Sequence, residues 1–339
     1  MGYLNDILSV TQLTLPWDKL QGCNVLITGA TGLVGSALVE VLLSKNDIDY
    51  HVYASGRNEE RAKKLFSTFL SSHRYHFVKY DVMQPLECNV RFDYIIDCAS
   101  GAAPIEYVNR PVEVMKSNLF GVAHLLDYGR KHGMRRFVYV SSGEIYGEGD
   151  GREFIEDYSG YVNPMLSRSC YPSSKRAAET LCVSYASEYG MDVVIARPCH
   201  IYGPHFTESD NRVYAEFIRN VLRGEDIIMK STGEQIRSWC YVVDCVSALL
   251  YILLKGECGE AYNIADPFSC ITIKQLSDII ANIGGKKVIM DAPSDKEKSG
   301  YNPVTRSLYS TKKLQSLGWF IDSRMYENMK STIEEVKII

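Results

Sequence analysis

Two residues four positions apart, Tyr171 and Lys175, have the types and spacing of an acid–base pair. Residues at positions i and i+4 share one face of a helix, so the lysine ammonium would lie beside the phenol. A neighbouring positive charge lowers the pKa of a phenol, and a tyrosinate can take the proton of an alcohol. The spacing alone is also compatible with two unrelated surface side chains. Its position favours chemistry, because it follows a predicted strand that ends in hydroxyl side chains, among them Ser142.

A glycine-rich segment near the N-terminus, T-G-A-T-G-L-V-G at residues 28–35, could bind phosphate. It follows an apolar run that predicts a buried strand, and it opens an amphipathic helix. Gly29 permits a sharp turn, Gly32 lets the backbone approach a pyrophosphate, and Gly35 lets the helix pack on the strand. The helix N-terminus supplies free N–H groups for the phosphates. The segment predicts a dinucleotide site, with further contacts from Thr31, Leu33 and Val34.

The end of the second predicted strand distinguishes NAD from NADP, because an acidic residue there binds the ribose 2′-hydroxyl. The sequence here is A-S-G-R-N, with no acid. Arg57 could pair with a 2′-phosphate, or it could be a solvated residue at the start of a charged helix. NADP is mildly favoured and NAD remains open. The other predicted cofactor contacts are Asn58, Asp81, Val82, Ala99, Ser100, Asn118, Ser141, Pro198 and the pair Tyr171 and Lys175.

The elements that must position these residues alternate between apolar strand-like runs and amphipathic helix-like segments. This alternation predicts right-handed βαβ units and an α/β fold with a Rossmann-type, doubly wound parallel sheet. We expect an N-terminal segment at residues 1–21 and a NAD(P)-binding domain at residues 22–200. Residues 201–339 are expected to form a smaller substrate-binding lobe, with some segments returning to the sheet.

The composition limits the class of protein. Basic residues number 37 and acidic residues 41, a balance unlike the basic excess of nucleic-acid binders. The 10 cysteines show no zinc-binding spacing, so we expect reduced thiols in a cytoplasmic protein and no metal site. No leader-like segment and no apolar run long enough to span a membrane is found in the sequence.

Several further motifs occur in a recognisable order, including S-S-G-E-I-Y-G, Y-P-S-S-K, A-R-P-C-H-I-Y-G-P and Y-N-I-A-D. With them, the chain from about residue 22 to about residue 320 resembles the extended short-chain dehydrogenases of the NAD-dependent epimerase/dehydratase family. The resemblance implies that a bound NAD(P)+ oxidises the C4 hydroxyl of a nucleotide-sugar. It assigns the catalytic roles to Ser142, Glu144, Tyr171 and Lys175.

The same resemblance implies a set of substrate contacts. Arg237 would contact the nucleotide diphosphate, and Arg212 would lie near the base and phosphates, although either could instead form a structural salt bridge. His200 stands where the family usually has Asn, and an imidazole there could still donate to a phosphate oxygen. The remaining expected contacts are Ser100, Glu144, Tyr171 and Arg306.

The residues after Ser142 bear on the type of reaction. The family's 4,6-dehydratases place an Asp-Glu pair there, whereas this chain has Gly143 and Glu144, which argues against dehydration. The nearest pattern is that of the UDP-glucuronate decarboxylases, with Arg306 as a candidate for their distant arginine. Glu106 is a departure, since it would lie near a substrate carboxylate and repel it.

These departures favour a 4-epimerase or a related enzyme that oxidises C4. A UDP-glucuronate decarboxylase, an NADPH-dependent 4-keto-sugar reductase and a non-catalytic NAD(P)-binding regulator remain as alternatives. By analogy with the family, we also expect a homodimer, formed through the helix around residues 114–132 and the helix that carries Tyr171.

Overall fold

The central element is a sheet of seven parallel strands in the order β3-β2-β1-β4-β5-β6-β10. In the computed structural model, which describes residues 2–101, 104–291 and 304–336, its inner strands are rich in apolar residues. A strand buried on both faces is expected to have such a sequence. The predicted α/β fold with a doubly wound parallel sheet is confirmed. The strands are β1 (Asn24–Thr28), β2 (His51–Gly56), β3 (Tyr75–Lys79), β4 (Tyr94–Asp97), β5 (Arg136–Val140), β6 (Val193–Pro198) and β10 (Ala261–Ile264).

Helices cover both faces of this sheet. Val25 and Ile27 of β1 point into one apolar core, and Leu26 between them points into the other, as alternation along a strand requires. The first core includes residues of α1 (Tyr3–Thr11), α2 (Leu33–Ser44) and α8 (Val242–Lys255). The second includes residues of α5 (Pro111–His132) and α6 (Cys170–Tyr189). The short helices α3 (Glu59–Leu65) and α4 (Pro104–Asn109) follow strands β2 and β4.

The C-terminal third contributes smaller sheets and also returns to the main sheet through β10, which pairs with β6. Strand β9 (Ile236–Tyr241) pairs with the short strands β7 (His200–Tyr202), β11 (Cys270–Thr272) and β13 (Arg306–Ser307). The domain boundaries expected from the sequence stay a prediction. The remaining elements are α7 (Val213–Leu222), β8 (Ile227–Met229), α9 (Ile273–Gly284), β12 (Val288–Met290), α10 (Lys312–Ser316) and α11 (Met325–Val336).

The N-terminal segment packs on the body of the protein. Helix α1 contacts α2, α8 and α11, and Trp17 and Leu20, which follow it, are buried. Helix α8 contains the longest apolar run in the sequence and is a buried helix, as its length predicts. Within the described residues, no helix has the length and apolar character that crossing a membrane requires.

Candidate active site

The glycine-rich segment forms an open cradle between β1 and α2. Gly29 has a φ of +59°, and a Cβ on it would lie 2.7 Å from the Cys98 carbonyl oxygen. A Cβ on Gly35 would overlap the Gly29 carbonyl oxygen, so both positions require glycine. Gly32 caps α2 without a side-chain hydrogen bond, which leaves N–H groups of the first turn open. This geometry fits a dinucleotide pyrophosphate.

Polar atoms at the carboxyl ends of the strands extend this cradle. Ser55 lies near the end of β2, and Ser141 directly follows β5. The hydroxyls of both residues are buried and have no partner among the described residues. Ser100 donates to the Asn118 side chain over 2.8 Å, and Asn118 donates to Ser174 over 3.0 Å. Orphaned hydroxyls beside the cradle fit a polar ligand there.

The other predicted cofactor contacts lie around the same edge. Arg57 and Asp81 are exposed, Val82 and Ala99 are half-buried, and Pro198 is buried. Asn58 caps α3 by accepting from the Arg61 backbone N–H over 2.9 Å. Arg61, which the sequence analysis did not single out, donates to the carbonyl oxygen of Thr31 over 3.0 Å and so supports the cradle.

The predicted acid–base pair lies on α6, and both side chains are buried. Lys175 Nζ donates to the Val140 carbonyl oxygen over 2.9 Å and lies 5.9 Å from the centre of the Tyr171 ring. Burial lowers the pKa of Lys175 to about 8, although the nearby carboxylate of Asp97 acts in the opposite direction.

The direction of the Tyr171 pKa shift differs from the sequence-based expectation. Burial, followed by the charge of Glu144, raises the pKa of the phenol, and hydrogen bonds with Ser142 and Tyr107 only partly offset this. The expected lowering by Lys175 is therefore wrong. The reason is that burial disfavours the charged phenolate, and the nearby carboxylate of Glu144 adds to this effect.

Ser142 and Glu144 are positioned by the 3-10 turn that follows β5. Ser142 caps this turn, and its hydroxyl accepts from the Glu144 backbone N–H over 3.1 Å. A Cβ on Gly143 would overlap the ring of Tyr309. The position at which dehydratases carry an acid is thus packed against an aromatic ring, which agrees with the argument against dehydration.

Arg168 is a site residue that the sequence analysis missed. Its Nη2 donates to both carboxylate oxygens of Glu144, over 3.0 and 2.9 Å. Its guanidinium also lies 4.6 Å from the centre of the Tyr107 ring. The only signal in the sequence is its place three residues before Tyr171, which puts it close to the start of α6.

Tyr107 covers the predicted catalytic tyrosine. The two rings stack with their centres 4.6 Å apart and their planes at 21°. Tyr107 and Glu144 line the adjacent cleft, whereas Tyr171 is not among the residues that line it. Tyr171 therefore lies just behind the wall of the cleft.

The cleft has a volume of about 500 Å³ and runs between the main sheet and the C-terminal segments. Arg212 is paired with Asp210 over 2.9 Å. Arg237 donates to the carbonyl oxygens of Ile236 and Val304 over 3.0 and 2.6 Å. The residues of the cleft used below are Tyr107, Glu144, Arg168, His200, Arg212 and Arg237.

His200 also lines the cleft, as predicted, but as a neutral imidazole. Burial and then the charges of Arg237 and Arg212 lower its pKa to about 3. Its Nδ1 is buried and has no partner in the described part of the chain. A neutral ring with a free nitrogen can still exchange a hydrogen bond with a ligand.

Two residues expected near the substrate lie elsewhere. Arg306 is exposed on β13 and is not among the residues that line the cleft. Glu106 is half-buried on α4 and is also absent from the cleft lining, although its neighbours Ile105 and Tyr107 line the cleft. Neither Arg306 nor Glu106 therefore lines this cleft.

Residues 25–265 match the NAD dependent epimerase/dehydratase family. The chain belongs to this family. It is 32% identical over 323 residues to UDP-glucuronic acid decarboxylase 5 of Arabidopsis thaliana. The match covers 93% of this chain and 89% of that protein. The resemblance stated from the sequence is confirmed, and the chain is an enzyme of the epimerase/dehydratase family rather than a non-catalytic regulator.

Solved structures of related fold agree with this assignment. The dTDP-glucose 4,6-dehydratase of Streptomyces venezuelae, solved with NAD, has a TM-score of 0.81 at 22% identity and covers 93% of this chain and 97% of that chain. The UDP-glucuronic acid 4-epimerase of Bacillus cereus, solved with UDP-glucuronic acid and NAD, has a TM-score of 0.80 at 20% identity, with coverages of 93% and 99%. Both confirm the epimerase/dehydratase fold.

Proposed function

We propose that this enzyme oxidises C4 of a nucleotide-diphospho-hexuronate with bound NAD(P) and releases the C6 carboxyl group as CO2. The observation that carries the proposal is Arg237. Its guanidinium is buried in the cleft and has no carboxylate partner among the described residues. Burial lowers its pKa, so an anion in the cleft would stabilise it. A substrate diphosphate would be that anion.

The type of sugar is inferred from the relatives and from the cleft together. The curated relative at 32% identity is named for decarboxylation of UDP-glucuronic acid. In the structure, Glu106 is not among the residues that line the cleft. Its expected repulsion was the main argument against a substrate carboxylate. We therefore place decarboxylation before the 4-epimerisation that the sequence alone favoured.

The side chains of the site can support this reaction. A dinucleotide held in the glycine-rich cradle would supply reversible acceptance of a hydride from C4. Tyr171, assisted by Ser142, takes the proton of the C4 hydroxyl, and the Lys175 ammonium stabilises the resulting charges. The C4 ketone then lies β to the C6 carboxylate. The C5–C6 bond breaks, CO2 leaves, and the electron pair forms an enolate that Tyr171 can protonate at C5 with the proton taken from the C4 hydroxyl. A second proton, taken up from solvent through Tyr171, would restore the C4 hydroxyl when the hydride returns.

Tyr107 must move for this chemistry, since it separates Tyr171 from the cleft. The Tyr107 ring contacts the guanidinium of Arg168 and also stacks on the ring of Tyr171. A sugar ring that stacks in place of the Tyr107 ring would bring its C4 hydroxyl to Ser142 and Tyr171. We infer that substrate binding displaces Tyr107.

The choice between the two dinucleotides is also a proposal. Arg57 is exposed just after β2, and no described residue pairs with it. We infer that it binds the 2′-phosphate of NADP, so that NADP is accepted as well as NAD. Titration of both cofactors into wild type and Arg57→Ala tests this. A loss of about tenfold or more is expected for NADP alone, and equal losses for both cofactors would contradict it.

The reaction is tested by incubating the purified enzyme with UDP-glucuronate, with and without added NAD(P)+. Mass spectrometry is expected to show loss of one CO2, without net consumption of cofactor. Unchanged mass with inverted C4, seen by NMR, would instead show an epimerase. Oxidation of added NADPH by a 4-keto-sugar would show a reductase. Tyr171→Phe should lower kcat by about 10²-fold or more, and retained turnover in that variant would overturn the proposal.

We also propose a homodimer in a reducing compartment, the cytoplasm. Large apolar side chains are about half exposed on α5 and α6, among them Met115, Phe120 and Val183, with exposed fractions of 45%, 47% and 43%. These two helices are neighbours, so their outer faces could pack on the same faces of a second chain. All 10 cysteines are free thiols, which fits a reducing compartment.

A further inference from the structure

Arg168 has donors that the protein itself does not use. Its Nη2 serves both oxygens of Glu144, but its Nε is buried and has no partner in the part of the chain that the structure describes. A buried N–H without a partner costs free energy and is rare in folded proteins. Because Arg168 also lines the cleft, a ligand group could reach this N–H.

We propose that Arg168 binds the C6 carboxylate of the substrate. The resemblance had offered Arg306, not Arg168, as the candidate for the distant active-site arginine of the decarboxylases. The inference rests on the proposed function, since it needs a hexuronate in the cleft. A guanidinium can hold two carboxylates at once, because its donors lie along more than one edge. Nη2 would keep Glu144, and Nε would take the substrate.

The position of Arg168 suits this carboxylate better than that of any other arginine of the cleft. The C6 carboxylate is attached to C5, which is bonded to the reacting C4. The cation that binds it must therefore lie beside Tyr171, and Arg168 is joined to Tyr171 through the stacked ring of Tyr107. Arg212 already uses its Nε to bind Asp210, whereas the Nε of Arg168 has no partner among the described residues. Arg237 lies on β9.

Glu144 gives this arrangement a further consequence. The substrate carboxylate and Glu144 would share one guanidinium, so each is stabilised less than it would be alone. Departure of the C6 carboxyl as neutral CO2 removes one of the two negative charges. Arg168 is then left with Glu144 alone, which is the pairing seen in the ligand-free protein.

The test measures binding to the NAD-loaded enzyme by calorimetry with UDP-glucuronate, UDP-glucose and UDP. Arg168→Gln is expected to weaken the binding of UDP-glucuronate by about 30-fold or more. It should weaken the binding of the two ligands without the C6 carboxylate by less than about threefold. Arg168→Lys, which keeps the charge, should recover part of the affinity. The matched control is Arg91→Gln, an exposed arginine beside Asp93 just before β4, at the opposite end of the strands.

A second comparison separates carboxylate binding from simple neutralisation of Glu144. If Arg168 only neutralises Glu144, the double variant Arg168→Gln/Glu144→Gln should bind UDP-glucuronate as tightly as Glu144→Gln does. We expect it to bind about tenfold or more weakly. Equal affinity of these two variants would overturn the inference, and so would equal weakening of all three ligands by Arg168→Gln.

Arg306→Gln distinguishes the two candidate arginines. A selective loss of affinity for UDP-glucuronate in Arg306→Gln but not in Arg168→Gln would overturn the inference while leaving the proposed decarboxylation intact. Conversely, a selective loss in Arg168→Gln, together with no CO2 from the wild-type enzyme, would support carboxylate binding and reject decarboxylation. Thermal unfolding of every variant confirms that the affinities refer to folded protein.

Discussion

At the scale of single residues, burial sets the chemistry of the predicted acid–base pair. Lys175 and Tyr171 are both almost fully buried, so each is shifted towards its neutral form. Burial therefore favours a protonated phenol beside a lysine that loses its proton unusually easily. Bound ligands must supply the interactions that make the pair active.

The lowered pKa of Lys175 predicts that the free energy of unfolding depends on pH. The folded pKa of Lys175 is about 8 and its ordinary value is 10.5, so between these values the unfolded chain binds more protons. Stability contributed at this site therefore rises as pH rises through that window. We expect the free energy of unfolding of wild type, relative to Lys175→Met, to increase from pH 8 towards pH 10.

Urea unfolding of both ligand-free proteins at several pH values measures this difference. Groups that titrate in both proteins cancel in the comparison, so the slope reports on Lys175. A difference that stays constant with pH, or that falls above pH 8, would contradict the assigned shift.

The contact between Gly143 and Tyr309 predicts a cost for adding one methyl group. A Cβ at Gly143 would overlap the Tyr309 ring, and overpacking of this kind costs about 1–3 kcal/mol. Gly143→Ala should therefore lower the free energy of unfolding by that amount. In a Tyr309→Ala background the cost should largely disappear, and urea unfolding of the four proteins gives the coupling. Additive losses would show that the ring does not limit this position.

At the scale of elements, a buried hydrogen bond joins α1 to α2. Tyr3 donates to Glu40, and the imidazole of His205 lies 3.8 Å from the same carboxylate. Burial raises the pKa of Glu40 to about 8, against an ordinary value of 4.5. The carboxyl group is therefore neutral at pH 7 in the folded protein.

This shift predicts that stability contributed by Glu40 falls as pH rises from 4.5 to about 8, because the folded state holds a proton that the unfolded state has lost. Glu40→Gln, which has no proton to lose, should gain stability relative to wild type over that range. Thermal unfolding at pH 5, 6.5 and 8 measures the trend. An advantage of the variant that shrinks with rising pH would show that Glu40 is ionised in the folded protein.

At the scale of the whole molecule, the exposed apolar residues on α5 and α6 predict self-association. Phe120 is 47% exposed, and a glutamate there would place a charge in the proposed interface, which is costly when unpaired. Wild type should sediment at twice the chain mass of 38.3 kDa, and Phe120→Glu should shift towards the monomer. Leu70→Glu is a matched control, since Leu70 is 50% exposed but lies away from both helices. A wild type that sediments as a monomer would reject the dimer.

The sequence by itself determined the parts of the site that depend on local geometry. The spacing of Gly29, Gly32 and Gly35 predicts the cradle, because each glycine answers a steric demand of its own turn. The spacing of Tyr171 and Lys175 follows from the helical repeat. The alternation of apolar strand-like runs with helix-like segments was enough to predict the parallel sheet, since parallel neighbouring strands need a crossover connection that is usually a helix.

The tertiary structure decided everything that depends on residues distant in the chain. Glu144 meets Arg168 across 24 positions, and Tyr107 reaches Tyr171 from another helix. Neither contact has a period or motif that a sequence could show. The pKa of Tyr171 was mispredicted for the same reason, since spacing reveals a neighbouring charge but not the depth of burial that opposes it.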